Sequence, residues 1–277
     1  MLRKAVLLLG LWAACAMPAV AQQRADSGLT ALQTGDAVRG WEAVGRLDID
    51  GKGFCTASLI AEDLVLTAAH CLYESGTGER IDPARMEFLA GLRDGRALAY
   101  RDVRRAVAHP DYLFEGGAAM ENVLRDVALL ELVRPIRTTN IIPFELGRAV
   151  QTGESVGIVS YAMERAELPS LQEMCSVLGE QAGVWVMSCD VNFGSSGAPV
   201  FSMAGGQARI VSLVSAKAEV ENGRVALGMA LDEPLARLRE IIAAGGGQIA
   251  GTPPSTIEVQ RPGESGIRAG GAKFVRP

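Results

Sequence analysis

The sequence contains two histidines, His70 and His109, so a reaction that needs an imidazole base has two candidates. His70 ends a short apolar run and directly precedes a cysteine. His109 precedes a proline, which favours an extended or turn conformation. Asp126 begins another segment, in which a carboxylate is followed by apolar residues. A carboxylate at the head of a buried strand needs a partner, and an imidazole N–H is a suitable one.

A serine flanked by small residues supplies a possible nucleophile in the segment Gly194-Ser195-Ser196-Gly197-Ala198-Pro199. Small residues let the backbone bend tightly and direct several N–H groups to one point, where they can stabilise a developing oxyanion. The segment differs from the Gly-x-Ser-x-Gly elbow of the α/β-hydrolases, because Gly197 follows Ser196 directly.

These segments resemble the signature blocks of the trypsin-like serine proteases, in the family order His, Asp, Ser. The matching blocks are Thr67-Ala68-Ala69-His70-Cys71, Asp126-Val127-Ala128-Leu129-Leu130 and Gly194-x-Ser196-Gly197-x-Pro199, with weaker matches at Cys55–Ile60 and His109–Tyr112. The resemblance extends over about residues 37–243. It is stronger to the bacterial, glutamyl-endopeptidase-like branch than to the digestive trypsins.

The resemblance implies a role for each block. Ser196 would attack the scissile carbonyl of a protein or peptide substrate, His70 would act as general base, and Asp126 would orient the imidazole. The backbone N–H groups of Gly194 and Ser196 would form the oxyanion hole.

The family also implies a binding strand near the end of the chain. Ser212 matches a serine that supports the triad carboxylate. The strand residues Ser212, Leu213 and Val214 would pair with the substrate backbone.

Two departures from the digestive members bear on activation and specificity. Ser195 occupies the position of an aspartate that receives a new N-terminal amine, so we expect activity without that step. Asp190, six residues before Ser196, either forms the base of a pocket that selects Arg or Lys, or packs against Cys189 and the pocket wall. The glutamyl-specific members have a histidine at the position of Val211, so a strict preference for glutamate is not expected here. With Asp190 in the pocket, we expect basic residues to be preferred over acidic ones on the acyl side of the cleaved bond.

Repeated short apolar runs separated by turns predict an all-β fold. The resemblance implies two packed six-stranded antiparallel β-barrels, at about residues 37–142 and 143–243 of a protease domain spanning 37–243. A short C-terminal helix is predicted at Asp232–Ala243, with Asp232 as its N-cap and Gly245–Gly247 as its end.

The two ends of the chain have different compositions from this domain. Residues 1–21 have a basic start, a short apolar run and an Ala-Val-Ala site, which predicts a secretory signal peptide and a secreted or periplasmic protein without a membrane anchor. Residues 22–36 are expected to be flexible. Residues 244–277 are rich in Gly and Pro and are expected to form a disordered tail.

Four cysteines remain after signal removal: Cys55, Cys71, Cys175 and Cys189. An even number in an oxidising compartment predicts disulfides, and three sets of pairings are open. The local pairs, Cys55–Cys71 and Cys175–Cys189, would close short loops, and each would contribute about 3 kcal/mol.

Composition excludes several other functions. The net charge is −5 and there is no basic stripe, so nucleic acid is not an expected partner. We expect no metal site, because two distant histidines and paired cysteines leave few ligands, and we expect no cofactor and a monomer. Two alternatives stay open: an inactive trypsin-like module that binds peptides or proteins, and an esterase that uses the same triad.

Overall fold

The computed structural model describes residues 28–114, 119–220 and 223–251. The predicted signal peptide at residues 1–21 and the predicted tail beyond residue 251 lie outside the described residues. Within the described ranges, no helix combines the length and the apolar character that crossing a membrane requires.

The first half of the chain forms a closed barrel of six strands. After the short elements β1 (Leu29–Ala31) and α1 (Gly35–Val38), its strands are β2 (Val44–Ile49), β3 (Gly53–Ala61), β4 (Leu64–Thr67), β5 (Met86–Ala90), β6 (Ala99–Ala108) and β7 (Ala128–Leu132), with α2 (Met120–Arg125) before the last. The strand order is β6-β5-β2-β3-β4-β7, and pairing of β7 with β6 closes the sheet. The closed sheet surrounds a core in which Leu47, Leu59 and Phe88 are fully buried.

The second half forms an antiparallel sheet around a second core. Its strands are β8 (Ser155–Ala162), β9 (Arg165–Gln181), β10 (Val184–Met187), β11 (Pro199–Ser202), β12 (Arg209–Leu213), β13 (Ala216–Val220) and β14 (Gly223–Met229). They follow the order β12-β11-β8-β9-β10-β14-β13, so β13 is an edge strand.

A side chain brings the two ends of this second sheet together. The Ser212 hydroxyl on β12 accepts a hydrogen bond of 3.0 Å from the Met229 N–H on β14. Gly228 permits this approach, because a Cβ there would lie 2.5 Å from both the Leu213 carbonyl oxygen and the Ser212 hydroxyl oxygen. The two sheets therefore give the predicted all-β fold, and in the second sheet Ser212 links β12 to β14.

Both ends of the described chain are more ordered than the sequence suggested. β1 pairs with β9, from Leu29 opposite Gln172 to Ala31 opposite Ser170, and the following Leu32 is only 3% exposed. The expectation of a flexible segment is therefore wrong for residues 28–36, because backbone pairing and one buried side chain hold a stretch of polar composition.

The C-terminal end docks on the first barrel. The predicted helix is confirmed as α3 (Asp232–Ala243), although its N-cap is Leu231 and no side chain in the described ranges caps it. β15 (Gln248–Ile249) then pairs with β6. The expectation of disorder is therefore wrong for residues 244–251, where glycines with positive φ turn the chain back onto the barrel.

Leu32 provides a test of the N-terminal segment. We expect Leu32→Ala to lower the free energy of unfolding by about 2–4 kcal/mol, because it removes a buried side chain and leaves a cavity. The matched change Leu98→Ala, at a leucine that is 55% exposed, should have little effect. Urea denaturation measures both, and equal small effects would show that residues 28–36 do not pack as described.

Candidate active site

His70 lies in a 3₁₀ turn, Ala69–Leu72, that directly follows β4. The neighbouring Cys71 forms a disulfide with Cys55 on β3, with 6.3 Å between the Cα atoms. The second disulfide joins Cys175 to Cys189, 5.0 Å apart. The local pairings are thus the ones present, and the first of them ties the histidine turn to the barrel wall.

The Asp126 carboxylate is the most constrained polar group of the site. It is 3% exposed and follows α2 directly. Its Oδ1 accepts a hydrogen bond of 2.8 Å from the His70 backbone N–H. Its Oδ2 lies 2.7 Å from His70 Nδ1 and accepts a bond of 2.5 Å from the Ser215 hydroxyl. Three donors thus satisfy a carboxylate that has lost its water.

This arrangement sets the proton position and the basicity of the imidazole. Burial alone would lower the pKa of His70, but the charge of Asp126 and its hydrogen bond outweigh burial and raise the pKa above its ordinary 6.5. Because an ionised carboxylate only accepts, Nδ1 of the neutral ring carries the proton. The lone pair of the neutral ring is then on Nε2.

The serine loop is held against the first barrel. The Ser196 carbonyl accepts a bond of 2.9 Å from the Thr56 N–H on β3, and the Gly197 N–H donates to the Val214 carbonyl at 2.7 Å. Gly197 has φ +75°, and a Cβ there would lie 2.3 Å from the Thr67 hydroxyl oxygen. Only glycine fits this close approach.

The peptide between Phe193 and Gly194 has a defined orientation. The Phe193 carbonyl accepts a bond of 2.9 Å from the Met163 N–H, and in a trans peptide the following N–H points the opposite way. Within the described part of the chain, neither the Gly194 N–H nor the Ser196 N–H has a protein acceptor. Two backbone donors of the serine loop are therefore available to a ligand.

Ser196, His70 and Gly194 line one cleft of about 600 Å³ between the two halves. Among the described residues, the Ser196 hydroxyl makes no hydrogen bond with the His70 ring. In unliganded enzymes such bonds are often long or misaligned and tighten only when substrate is bound.

The prediction that Ser212 supports the carboxylate is wrong by three residues. Ser212 accepts from Met229 within the second sheet, and the donor to Asp126 is Ser215. The predicted binding residues Leu213 and Val214 are also buried. Leu213 lies opposite Pro199 in the sheet, and the Val214 N–H already donates to the Ala198 carbonyl at 2.9 Å. Both serines follow a valine, so local sequence does not distinguish them. The feature that distinguishes them is strand β12, which is largely buried and ends at Leu213. Ser212 lies on this strand, whereas Ser215 lies beyond its end.

Asp190 does not line the pocket that it was suggested to form. A second pocket, of about 170 Å³, adjoins Ser196 and is lined by residues 191–193 and 214–217. The Asp190 N–H donates to Gln172 Oε1 at 2.8 Å. Burial lowers the pKa of the Arg165 guanidinium, and the Glu164 and Asp190 carboxylates act against that shift. The expected preference for basic residues therefore loses its structural basis.

His109 and the cysteines beside His70 have structural roles. His109 is 7% exposed at the end of β6, its Nδ1 accepts from the Asp111 N–H at 3.3 Å, and burial lowers its pKa. Cys55, His70 and Cys71 lie close enough together to suggest a metal site, but both sulfurs are in a disulfide and cannot act as thiolate ligands.

The chain is similar to known proteins in sequence. A family model described as Trypsin matches residues 33–230. A trypsin of Phaedon cochleariae is 36% identical over 84 residues, which are 30% of this chain and 29% of that protein. Mast cell protease 3 of Ovis aries is 30% identical over 134 residues, 47% of this chain and 49% of that protein. Clotting factor C of Tachypleus tridentatus is 34% identical over 105 residues, which are 36% of this chain and 10% of that protein. The matches thus span a tenth to about half of these relatives.

The chain is also similar to solved structures. One described as a Glu endopeptidase in complex with MPD superposes with a TM-score of 0.61 at 20% identity, covering 79% of this chain and 97% of that one. This agreement confirms the predicted fold.

The pair formed by His70 and Asp126 provides a test that does not depend on activity. In Asp126→Asn we expect the His70 pKa to fall below 6.5, because burial still disfavours the charged ring while the attraction of the carboxylate is lost. NMR titration of the ring measures it. Asp190→Asn is the control and should leave the His70 pKa unchanged. An unchanged pKa in Asp126→Asn would contradict the geometry.

Proposed function

Because the chain belongs to the trypsin family of serine proteases, we propose that it is a secreted serine endopeptidase with Ser196 as nucleophile, His70 as general base and Asp126 as the residue that orients the base. The observation that carries the proposal is the buried Asp126 carboxylate bonded to His70 Nδ1 at 2.7 Å, beside the cleft that Ser196 lines. This is the arrangement that a hydroxyl nucleophile requires.

The order of proton transfers follows from the tautomer of His70. Nε2 of neutral His70 takes the proton of the Ser196 hydroxyl as its oxygen attacks the substrate carbonyl, and Asp126 stabilises the imidazolium that forms. The imidazolium then protonates the leaving amine, which leaves an acyl-enzyme. Water then attacks the acyl-enzyme while His70 takes its proton. The imidazolium returns a proton to the Ser196 oxygen as the ester bond breaks and the acid leaves. Since the neutral ring is the base, activity should fall as the pH drops through the raised pKa of His70.

The two available N–H groups of the serine loop suit the negative charge that develops on the substrate oxygen. Donors at Gly194 and Ser196 that are already oriented need no rearrangement during the reaction. Each such donor is worth about 10²–10³ in rate. These two N–H groups, acting as an oxyanion hole, would therefore supply a large part of the expected rate enhancement.

The edge strand β13 lies beside Ser196 and can pair with the backbone of an extended substrate. β13 pairs with β14 on one side only, from Ala216 opposite Leu227 to Val220 opposite Gly223, and it ends the sheet. An extended peptide can add to such an edge by main-chain hydrogen bonds. We therefore assign the pairing with substrate backbone to residues 215–217 instead of residues 212–214, and Val214 keeps a place in the pocket lining.

A half-buried cation, Arg165, supports the proposal that activation needs no new N-terminus. Ser195 is fully buried, and its hydroxyl donates to the Tyr161 carbonyl at 3.3 Å. The hydroxyl of Ser160, 3.5 Å from that of Ser195, accepts from Arg165 at 3.0 Å. A guanidinium of this chain thus occupies the space beside the serine loop.

Secretion is part of the proposal and rests on three features. Residues 1–21 have the composition of a signal peptide, the described chain contains two disulfides, and its family is that of trypsin. Protein or peptide substrates would then be met outside the cytoplasm.

The lack of a bond between Ser196 and His70 in the described structure favours one alternative, a weakly active or inactive module that binds peptides. A fluorophosphonate probe separates the two. We expect it to label the wild-type chain and not Ser196→Ala, with a loss of peptide hydrolysis on the order of 10⁶ in kcat. Ser202→Ala, a serine on the adjacent strand, is the control and should label normally.

The same samples test the remaining parts of the proposal. In this chain the step that creates a new N-terminal amine would be a cut after residue 38. Labelling of a chain whose mass shows no such cut supports activity without that step. Turnover of esters but not of amides would indicate the esterase alternative. A folded wild-type chain that takes no label would refute the endopeptidase.

A further inference from the structure

The pocket beside Ser196 contains a charged residue, Lys217, that belongs to none of the sequence motifs. Val191, Asn192 and Phe193 form one wall, and β13 forms the opposite wall with Ala216 and Lys217. Of the described residues that line this pocket, Lys217 alone is charged. Because the pocket adjoins the nucleophile, a side chain next to the cleaved bond would enter it.

The ammonium group of Lys217 reaches across the mouth of the pocket. Its Nζ lies 3.2 Å from Asn192 Oδ1 and 4.0 Å from the centroid of the Phe193 ring. Among the carboxylates in the described ranges, none lies within ion-pair distance of it. The cation is therefore held by a neutral amide and an aromatic face, both weaker partners than a carboxylate.

The amide that holds Lys217 is itself oriented. Asn192 Nδ2 donates to Glu164 Oε2 at 3.1 Å, which leaves Oδ1 to face the ammonium group. The orientation of Asn192 thus presents an acceptor to Lys217 and keeps the cation over the pocket. An entering carboxylate would replace Oδ1 as the partner and leave the Asn192–Glu164 bond intact.

We propose that Lys217 is a specificity-determining residue that selects an aspartate or glutamate side chain on the acyl side of the cleaved bond. This inference rests on the proposed endopeptidase function and reverses the preference expected from Asp190. An arginine or lysine side chain in the same pocket would meet a like charge and, among the described lining residues, no carboxylate. Exposure of Lys217 to solvent limits the effect and makes it sensitive to salt.

Matched fluorogenic peptides that differ only in Glu, Gln or Lys at that position test the proposal. For the wild-type chain we expect kcat/KM to be about two- to fivefold higher for Glu than for the isosteric Gln, with Lys lowest. In Lys217→Met the Glu to Gln ratio should fall to about one, and in Lys217→Glu the Lys peptide should become the best substrate.

Arg224→Met is the matched control. It removes one cation from β14 of the same hairpin, outside the pocket lining, and should leave the wild-type ratio unchanged. Raising the ionic strength should lower the Glu to Gln ratio in the wild type and in the control.

The outcomes separate this inference from the proposed function. If the chain takes the fluorophosphonate label and cleaves the Lys peptide best, and Lys217→Met does not change that order, the inference is overturned and the endopeptidase stands. If Asp190→Asn then removes the preference for Lys, Asp190 is the specificity residue. If the wild-type chain neither labels nor cleaves any peptide, the proposed function fails first.

Discussion

The structure depends on one buried negative charge, the Asp126 carboxylate. Moving a carboxylate out of water is unfavourable by several kcal/mol unless donors replace the lost hydration, and here three donors do so. Two of them belong to His70 of the first barrel, and the third is the Ser215 hydroxyl of the second half. The carboxylate is therefore satisfied only when the two halves are docked. Formation of the site and docking of the halves are in this sense one event.

Thr56 makes the corresponding connection for the proposed nucleophile, Ser196. Its N–H donates to the Ser196 carbonyl at 2.9 Å, and its hydroxyl donates to the Gly194 carbonyl at 2.8 Å and accepts from the Tyr161 N–H at 3.0 Å. A fully buried residue of β3 thus holds the serine loop of the second half. Such support from a rigid strand orients the loop N–H groups before substrate arrives, which is what oxyanion stabilisation requires. The glycines of the loop are needed for the same reason, since a Cβ at either would overlap its neighbours.

Some features of the fold and the site are determined by neighbouring residues in the sequence, and others depend on tertiary contacts. The blocks around His70, Asp126 and Ser196 could be predicted because each is a short contiguous motif that resembles the family's, and helix α3 could be predicted from its apolar periodicity. The choice between Ser212 and Ser215 could not, because it depends on where β12 ends and on which hydroxyl crosses to the other half. The position of Asp190 is also a tertiary property, since its backbone N–H donates to Gln172 Oε1 on β9 and its carboxylate acts on the charge of Arg165 on the same strand. At the chain ends, composition indicated flexibility, whereas long-range strand pairing decided the structure.

The crystal structure of a covalent phosphonate adduct tests the central claim most directly, that His70, Asp126 and Ser196 act as one unit beside a ready oxyanion hole. The account predicts phosphorus bonded to the Ser196 oxygen, with one phosphoryl oxygen about 2.7–3.1 Å from the backbone nitrogens of Gly194 and Ser196. It also predicts that the Asp126 bonds to His70 and Ser215 persist. Modification of another residue, or a Gly194 N–H turned away from the phosphoryl oxygen with His70 out of reach of Ser196, would contradict it.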